Sequence, residues 1–186
     1  NNITNLMLLN RNLLVGKEDN LFHFDEDTRQ FALMDALRMN RSTNNFKYAV
    51  NYQAGLYFSL GTRIAELTSG ARFDLIDPLQ NLEGVVKNGT CVGLAADNDW
   101  LYAIMDEGTN SIIYKGHSVE GQWQWCPWVF LGTNTCALAY ICQLSGENPK
   151  LWFGYGSNAG YVILSDNPLA DSAYTFAASG YIETGW

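Results

Sequence analysis

Apolar residues along this chain come in short runs separated by Asn, Asp, Gly and Ser. Four runs share one shape: Leu13-Leu14-Val15-Gly16, Leu56-Tyr57-Phe58-Ser59, Leu101-Tyr102-Ala103-Ile104 and Leu151-Trp152-Phe153-Gly154. Their starts lie 43, 45 and 50 residues apart. A period of roughly 40–50 residues is that of a propeller blade.

The surroundings of each run repeat as well. An apolar stretch precedes each one: Ile3 to Leu9, Tyr48 to Tyr52, Cys91 to Ala96, and Cys136 to Cys142. Between the two stretches sit turn formers: Asn10-Arg11-Asn12, Gln53-Ala54-Gly55, Asp97-Asn98-Asp99 and Ser145-Gly146-Glu147-Asn148. Such residues tolerate left-handed backbone or cap a turn with their own side chains. A second turn follows each run, with Ser157-Asn158-Ala159-Gly160 the last of the set. A third strand is then expected at Leu21 to Phe24, Ile64 to Leu67, Ile112 to Lys115, and Tyr161 to Leu164.

A fourth strand is less regular. Its candidates are Phe31 to Met34, Phe73 to Ile76, Gln122 to Phe130, and Ala173 to Ile182. The spacing from Phe31 to Met39 also suits a short helix. Pro127 falls in one of these fourth strands. Proline lacks the N–H that a central strand needs, so that strand belongs at an edge. Small residues such as Val92-Gly93-Leu94-Ala95-Ala96 suit first strands that converge on an axis.

The pattern predicts an all-β chain: a β-propeller-like array of about four blades of antiparallel strands, forming part of a larger ring. A β-sandwich with evenly spaced turns is the alternative. The chain reads as a single β-repeat domain, 1–186, with repeats at 1–45, 46–84, 85–133 and 134–186. Its last residues, Tyr181 to Trp186, resemble a strand cut short, so a fragment of a longer chain is expected.

Composition agrees with this. The chain holds 10 Tyr, 9 Phe, 6 Trp and 17 Gly among 186 residues, as short strands and tight turns require. A net charge of −8 argues against nucleic acid as a partner, because that binding rests on clustered Lys and Arg. No apolar run approaches the ~20 residues of a membrane-spanning helix, so no membrane insertion is expected.

Candidate chemistry is sparse. His23 and His117 fall in different repeats, without a second ligand at metal spacing, so no metal and no cofactor are expected. Asp25-Glu26-Asp27, Asp97-Asn98-Asp99 and Asp106-Glu107 lack the pattern of a calcium loop and sit where turns are expected. Cys91, Cys126, Cys136 and Cys142 make no CxxC and read as reduced, buried thiols, although an even count also permits disulfides. Gly154-Tyr155-Gly156-Ser157-Asn158-Ala159-Gly160 joins two strands and opens no helix, so it is not a phosphate loop. Trp123, Trp125 and Trp128 have two readings: packing between repeats, or stacking on sugar rings. No catalytic residue stands out.

Four segments carry a family likeness: Leu94-Ala95-Ala96-Asp97-Asn98-Asp99-Trp100-Leu101-Tyr102-Ala103 with Ile113-Tyr114-Lys115-Gly116, then Leu151-Trp152-Phe153-Gly154, then Ser179-Gly180-Tyr181-Ile182-Glu183-Thr184-Gly185-Trp186. They resemble propeller-like virion and tail-associated proteins of tailed bacteriophages and related prophage sequences. The resemblance implies a non-enzymatic structural module in a phage particle, with other virion proteins as partners. Recognition of host glycans, through the three tryptophans, is the second expectation. Glycan hydrolysis is a third, and it needs two carboxylates about 5–10 Å apart on one face.

Overall fold

The computed structural model describes residues 1–34, 39–68, 72–78, 89–132 and 136–165. The fifteen elements of these residues are all β-strands, in four antiparallel sheets. The first sheet runs β1 (Ile3–Leu9), β2 (Asn12–Lys17), β3 (Leu21–Asp25) and β4 (Gln30–Leu33). The second holds β5 (Ala49–Tyr52), β6 (Gly55–Leu60), β7 (Arg63–Leu67) and β8 (Phe73–Leu75). In the third are β9 (Thr90–Ala96), β10 (Leu101–Asp106), β11 (Ser111–Val119) and β12 (Gln122–Phe130). The fourth contains β13 (Cys136–Cys142), β14 (Lys150–Tyr155) and β15 (Asn158–Ile163). Strand order within each sheet follows chain order. The four expected repeats are thus four up-and-down sheets rather than the two layers of a sandwich. The strand expected at Ala173 to Ile182 lies outside the described residues.

Tight hairpins explain the regular spacing. Leu9 pairs with Asn12 around Asn10 and Arg11, both left-handed at φ 50° and 69°. Val119 pairs with Gln122 around Glu120 and Gly121, at 51° and 78°. Two successive positive φ values match the right-handed twist of the flanking strands. The turn between β14 and β15 is equally short, because Tyr155 pairs directly with Asn158 around Gly156 and Ser157. Asn158, Ala159 and Gly160, expected in a turn, are therefore strand residues. At the end of the first sheet, Phe31 to Leu33 are strand rather than helix, and residues 35–38 of that expected helix lie outside the described residues. The third strand of the third sheet also outlasts its expected end at Lys115, so His117 sits within β11.

One rule of side-chain direction organises the molecule. Along each second strand, the first and third residues of the repeated run face the preceding sheet, and the second residue faces the next. Leu56 and Phe58 pack with Met7, Leu14 and Leu21 of the first sheet. Tyr57 turns instead to Leu101, Ala103 and Tyr114 of the third. Tyr102 and Ile104 point on to Leu151 and Phe153 of the fourth. Period-2 alternation along a strand causes this, since each sheet has apolar residues on both faces. Three apolar clusters result, one per junction between consecutive sheets. Burial of these residues is the main driving force for stacking the sheets.

First strands meet from one sheet to the next. β1 packs on β5, β5 on β9, and β9 on β13. β1, β9 and β13 each carry a register shift. Such bulges re-aim side chains and increase local twist. Pro127 sits on β12, the last strand of its sheet, as a residue without an N–H requires.

Candidate functional site

Trp123, Trp125 and Trp128, all on β12, do not share a face. Trp123 and Trp125 turn toward the second sheet and stack with centroids 5.5 Å apart and planes at 23°. Tyr57 meets Trp123 edge-on at 5.4 Å. Glu66 ties the group together: it accepts a 2.8 Å hydrogen bond from the Tyr57 hydroxyl and a 3.3 Å bond from Trp123 Nε1. Trp125 Nε1 donates to the Ile76 carbonyl at 2.6 Å. Burial, reinforced by Glu66, pushes the Tyr57 hydroxyl well above its ordinary range, so it is a permanent donor.

Trp128 turns the other way. Tyr114 pairs with Pro127 and Ile113 with Val129, which leaves Trp128 unpaired at a bulge between them. Its ring packs on Tyr102 at 5.5 Å, toward the fourth sheet. Lys115 lies over Trp100 at 4.1 Å and over Trp128 at 5.5 Å. Desolvation lowers the Lys115 pKa, opposed by Asp97 and Asp99. His117 also stacks on Trp100, with centroids 4.3 Å apart and planes at 18°. Of the two readings of the tryptophans, this geometry supports packing between repeats.

Beside Trp123 a groove of about 530 Å³ opens between the outer strands of the second and third sheets. Glu66, Arg72, Asp74, Ser118, Gln122 and Trp123 are among its walls. Its carboxylates are already engaged. Glu66 is held as described, and Asp74 pairs with Arg72 at 2.8 Å. The buried Asp77 takes Arg63 and the Ile64 N–H.

Acidic clusters behave as turn caps. Asp97 Oδ1 accepts from the N–H groups of Asp99 at 2.9 Å and Trp100 at 2.7 Å, and Oδ2 accepts from the Tyr102 hydroxyl at 2.7 Å. Asp25 accepts from the Thr28 hydroxyl, then from Thr28 N and Asp27 N, and these bonds hold its carboxyl below the usual range. Asp106 accepts from Gly108 N at 2.8 Å. His23 lines a second hollow of about 520 Å³ with Asp25, Glu26 and Asp27, between the first two sheets. Among the described residues, no three His, Cys, Asp or Glu side chains converge as a metal site would require. None of the four cysteines forms a disulfide; Cys91 and Cys136 are buried as expected, whereas Cys126 on β12 is exposed and Cys142 is half-buried.

Sequence reasoning missed the polar junction between the first and second sheets. Glu18 is buried and accepts from Arg41 Nη2 at 2.6 Å, Arg41 Nε at 2.9 Å and Asn2 Nδ2 at 2.9 Å. The Arg41 bonds, then Asn2, hold its carboxyl below the ordinary value. Asn45 is also buried; its amide donates to the Glu18 and Asn40 carbonyls and accepts from Gly61 N at 2.7 Å. Neighbouring Asn44 donates to the carbonyls of Gly61 and Cys91. The only trace of this stitching in the sequence is the polar segment from Asn40 to Asn45, which has no periodicity.

Fold and site together define an all-β protein of stacked antiparallel sheets. No family model matches the chain, and no curated protein does. Among solved structures it is similar to the extracellular domain of BT4673 from B. thetaiotaomicron, described as a one-component system. Identity there is 14% and the TM-score 0.59, over 87% of this chain and 21% of that one. A second structure of that domain, described as a hybrid two-component system, gives 13% and 0.56, over 87% and 22%. At such identities the likeness is one of fold, and the chain spans about a fifth of the length of those domains.

Proposed function

We propose that the four sheets are consecutive blades of a β-propeller-like array, and that the chain is a non-catalytic interaction scaffold. The alternation of faces along β2, β6, β10 and β14 carries this reading. Each sheet is apolar on both sides and is covered only by its neighbours, which is how repeat architectures build a stiff frame. The likeness to solved structures supports it, because it extends over 87% of the chain and so over several sheets. Loops at the rim of such a frame are where partners bind.

The sequence resemblance makes a tailed-phage particle the assembly in question. Mass spectrometry of purified particles from a phage or prophage encoding the chain tests this. The chain should appear in constant ratio to the tail proteins; particles that lack it overturn the virion role.

A second reading rests on the groove beside Trp123, where an aromatic edge and several polar side chains suit a polyhydroxylated ligand. Glycan-array binding that is lost in Trp123→Ala and in Gln122→Ala supports it. Absence of binding, or binding indifferent to both changes, rejects it.

A further inference from the structure

One register pair between second and third strands recurs in every sheet. Leu14 faces His23, Tyr57 faces Glu66, Tyr102 faces Lys115, and Trp152 faces Tyr161. In the first three sheets the leading member of the pair points toward the following sheet. Three sheets place an aromatic ring at this position, and the first places Leu14. At the second junction the ring is met on all sides: the Tyr57 hydroxyl bonds Glu66 at 2.8 Å and Trp123 approaches edge-on. At the third, the Tyr102 hydroxyl bonds Asp97 at 2.7 Å and its ring packs on Trp128. At the first junction, the hollow of about 520 Å³ opens beside Leu14 and His23 instead.

The makeup of this hollow defines what fits it. Leu9, Leu14 and Leu67 supply apolar wall, His23 a half-buried imidazole, and Glu26 and Asp27 two exposed carboxylates. Among the described residues, nothing hydrogen-bonds or stacks on the His23 ring, and no cation pairs with the carboxylates of Glu26 and Asp27. The volume falls in the range of small-ligand pockets, roughly 300–1,000 Å³. We propose that the hollow binds a small aromatic amine. Its ring lies against Leu14 and Leu67, where the other sheets carry a ring of their own. A polar group on that ring bonds His23, as the Tyr57 hydroxyl bonds Glu66 one sheet later. Its ammonium is directed to Glu26 and Asp27. Apolar contact with the ring supplies affinity, and the carboxylates select an ammonium over a neutral or acidic group. The hollow lies between the first two sheets, so the site does not depend on how the array continues.

Tyramine is the probe. Tyrosol and 4-hydroxyphenylacetate keep its phenol ring and replace the ammonium by a hydroxyl or a carboxylate. His23 and His117 are the two histidines of the chain, so their imidazole resonances report on the hollow and on a control in the third sheet. In a titration at constant neutral pH, tyramine should move the His23 resonances saturably and leave His117 in place. It should bind at least about tenfold more tightly than tyrosol, and 4-hydroxyphenylacetate should not bind. Leu14→Tyr supplies the ring that the other sheets carry and should abolish the shift. Glu26→Gln with Asp27→Asn alters only an exposed turn and should weaken tyramine to the level of tyrosol. No saturable His23 shift with tyramine overturns the site. Equal binding of the three probes, or a turn variant that binds like the parent, overturns the amine. Binding that survives Leu14→Tyr overturns the place given to the ring. A His23 shift with zinc or calcium chloride and none with tyramine identifies a metal site and overturns the proposal.

Discussion

Gly116 and Trp125 are register partners on β11 and β12, and a methyl group on Gly116 would lie 2.4 Å from Cε3 of the indole. The glycine is the seat of the ring. Phe46 is seated in the same way on Gly16, where an added Cβ would lie 2.5 Å from the phenylalanine Cβ. Both aromatics pack at a junction between sheets, so the glycines serve inter-sheet packing rather than turns.

Gly116→Ala should therefore destabilise by about 1–3 kcal/mol through overpacking. Trp125→Ala should cost about 3–5 kcal/mol through loss of buried surface. Because the two residues share one space, the double variant should lose clearly less than the sum of the singles. Denaturant unfolding of the three variants measures this, and strict additivity would show that the ring does not rest on Gly116.

Thiol reactivity offers a check on burial. Cys91 is fully buried, and desolvation pushes its pKa up to about 12. Cys126 is exposed on the outer strand of the same sheet. The thiolate is the reactive form. An alkylating reagent at neutral pH should label Cys126 in the native protein and reach Cys91 only in denaturant, as peptide mapping would show. Native labelling of Cys91 at the rate of Cys126 would contradict the packing of β9 between the second and fourth sheets.

The repeat was legible because its signals are local. Two-residue turns and period-2 runs are properties of neighbouring residues, so four strand meanders can be read from spacing alone. The side on which a side chain lands is harder to read. Trp123, Trp125 and Trp128 look like one cluster in sequence, yet Trp128 lies an odd number of positions from the other two and so joins a different junction. Asn158 to Gly160 look like a turn because Asn and Gly favour turns, but the hairpin needs only Gly156 and Ser157. The group formed by buried Glu18 and Asn45 with the exposed Arg41 was invisible for a related reason. Its members are 23 and 27 residues apart and meet only once the second sheet is stacked on the first.

Asn45 is the test of that stitching. Its side chain joins two carbonyls of the preceding segment to the Gly61 N–H at the turn of the second sheet. Asn45→Leu keeps the volume but removes the acceptor of the half-buried Gly61 donor and the amide donor of the Glu18 and Asn40 carbonyls. Leaving such a group unpaired costs roughly 1–3 kcal/mol. Thermal unfolding should fall by several degrees, and hydrogen exchange at the Gly61 amide should accelerate more than at the paired amides of β6. Unchanged exchange at Gly61 would rule out Asn45 as its acceptor.

Glu18 gives the molecule a defined response to acid. Arg41 and Asn2 bond the ionised carboxylate, so its pKa in the folded chain lies below the ordinary value of 4.5. In the unfolded chain that value is restored, and the unfolded state then binds more protons as the pH falls. The pair's contribution to stability is thus complete above pH 4.5 and disappears as the pH drops through the folded pKa. Arg41→Ala removes the main cause of the shift. The gap in melting temperature between the parent chain and Arg41→Ala should be constant from neutral pH to about 5 and should narrow below it. Other carboxylates titrate alike in both proteins and cancel from the difference. A gap that stays the same down to pH 3 would mean that Arg41 acts through packing of its alkyl stem, and not through the charge on Glu18.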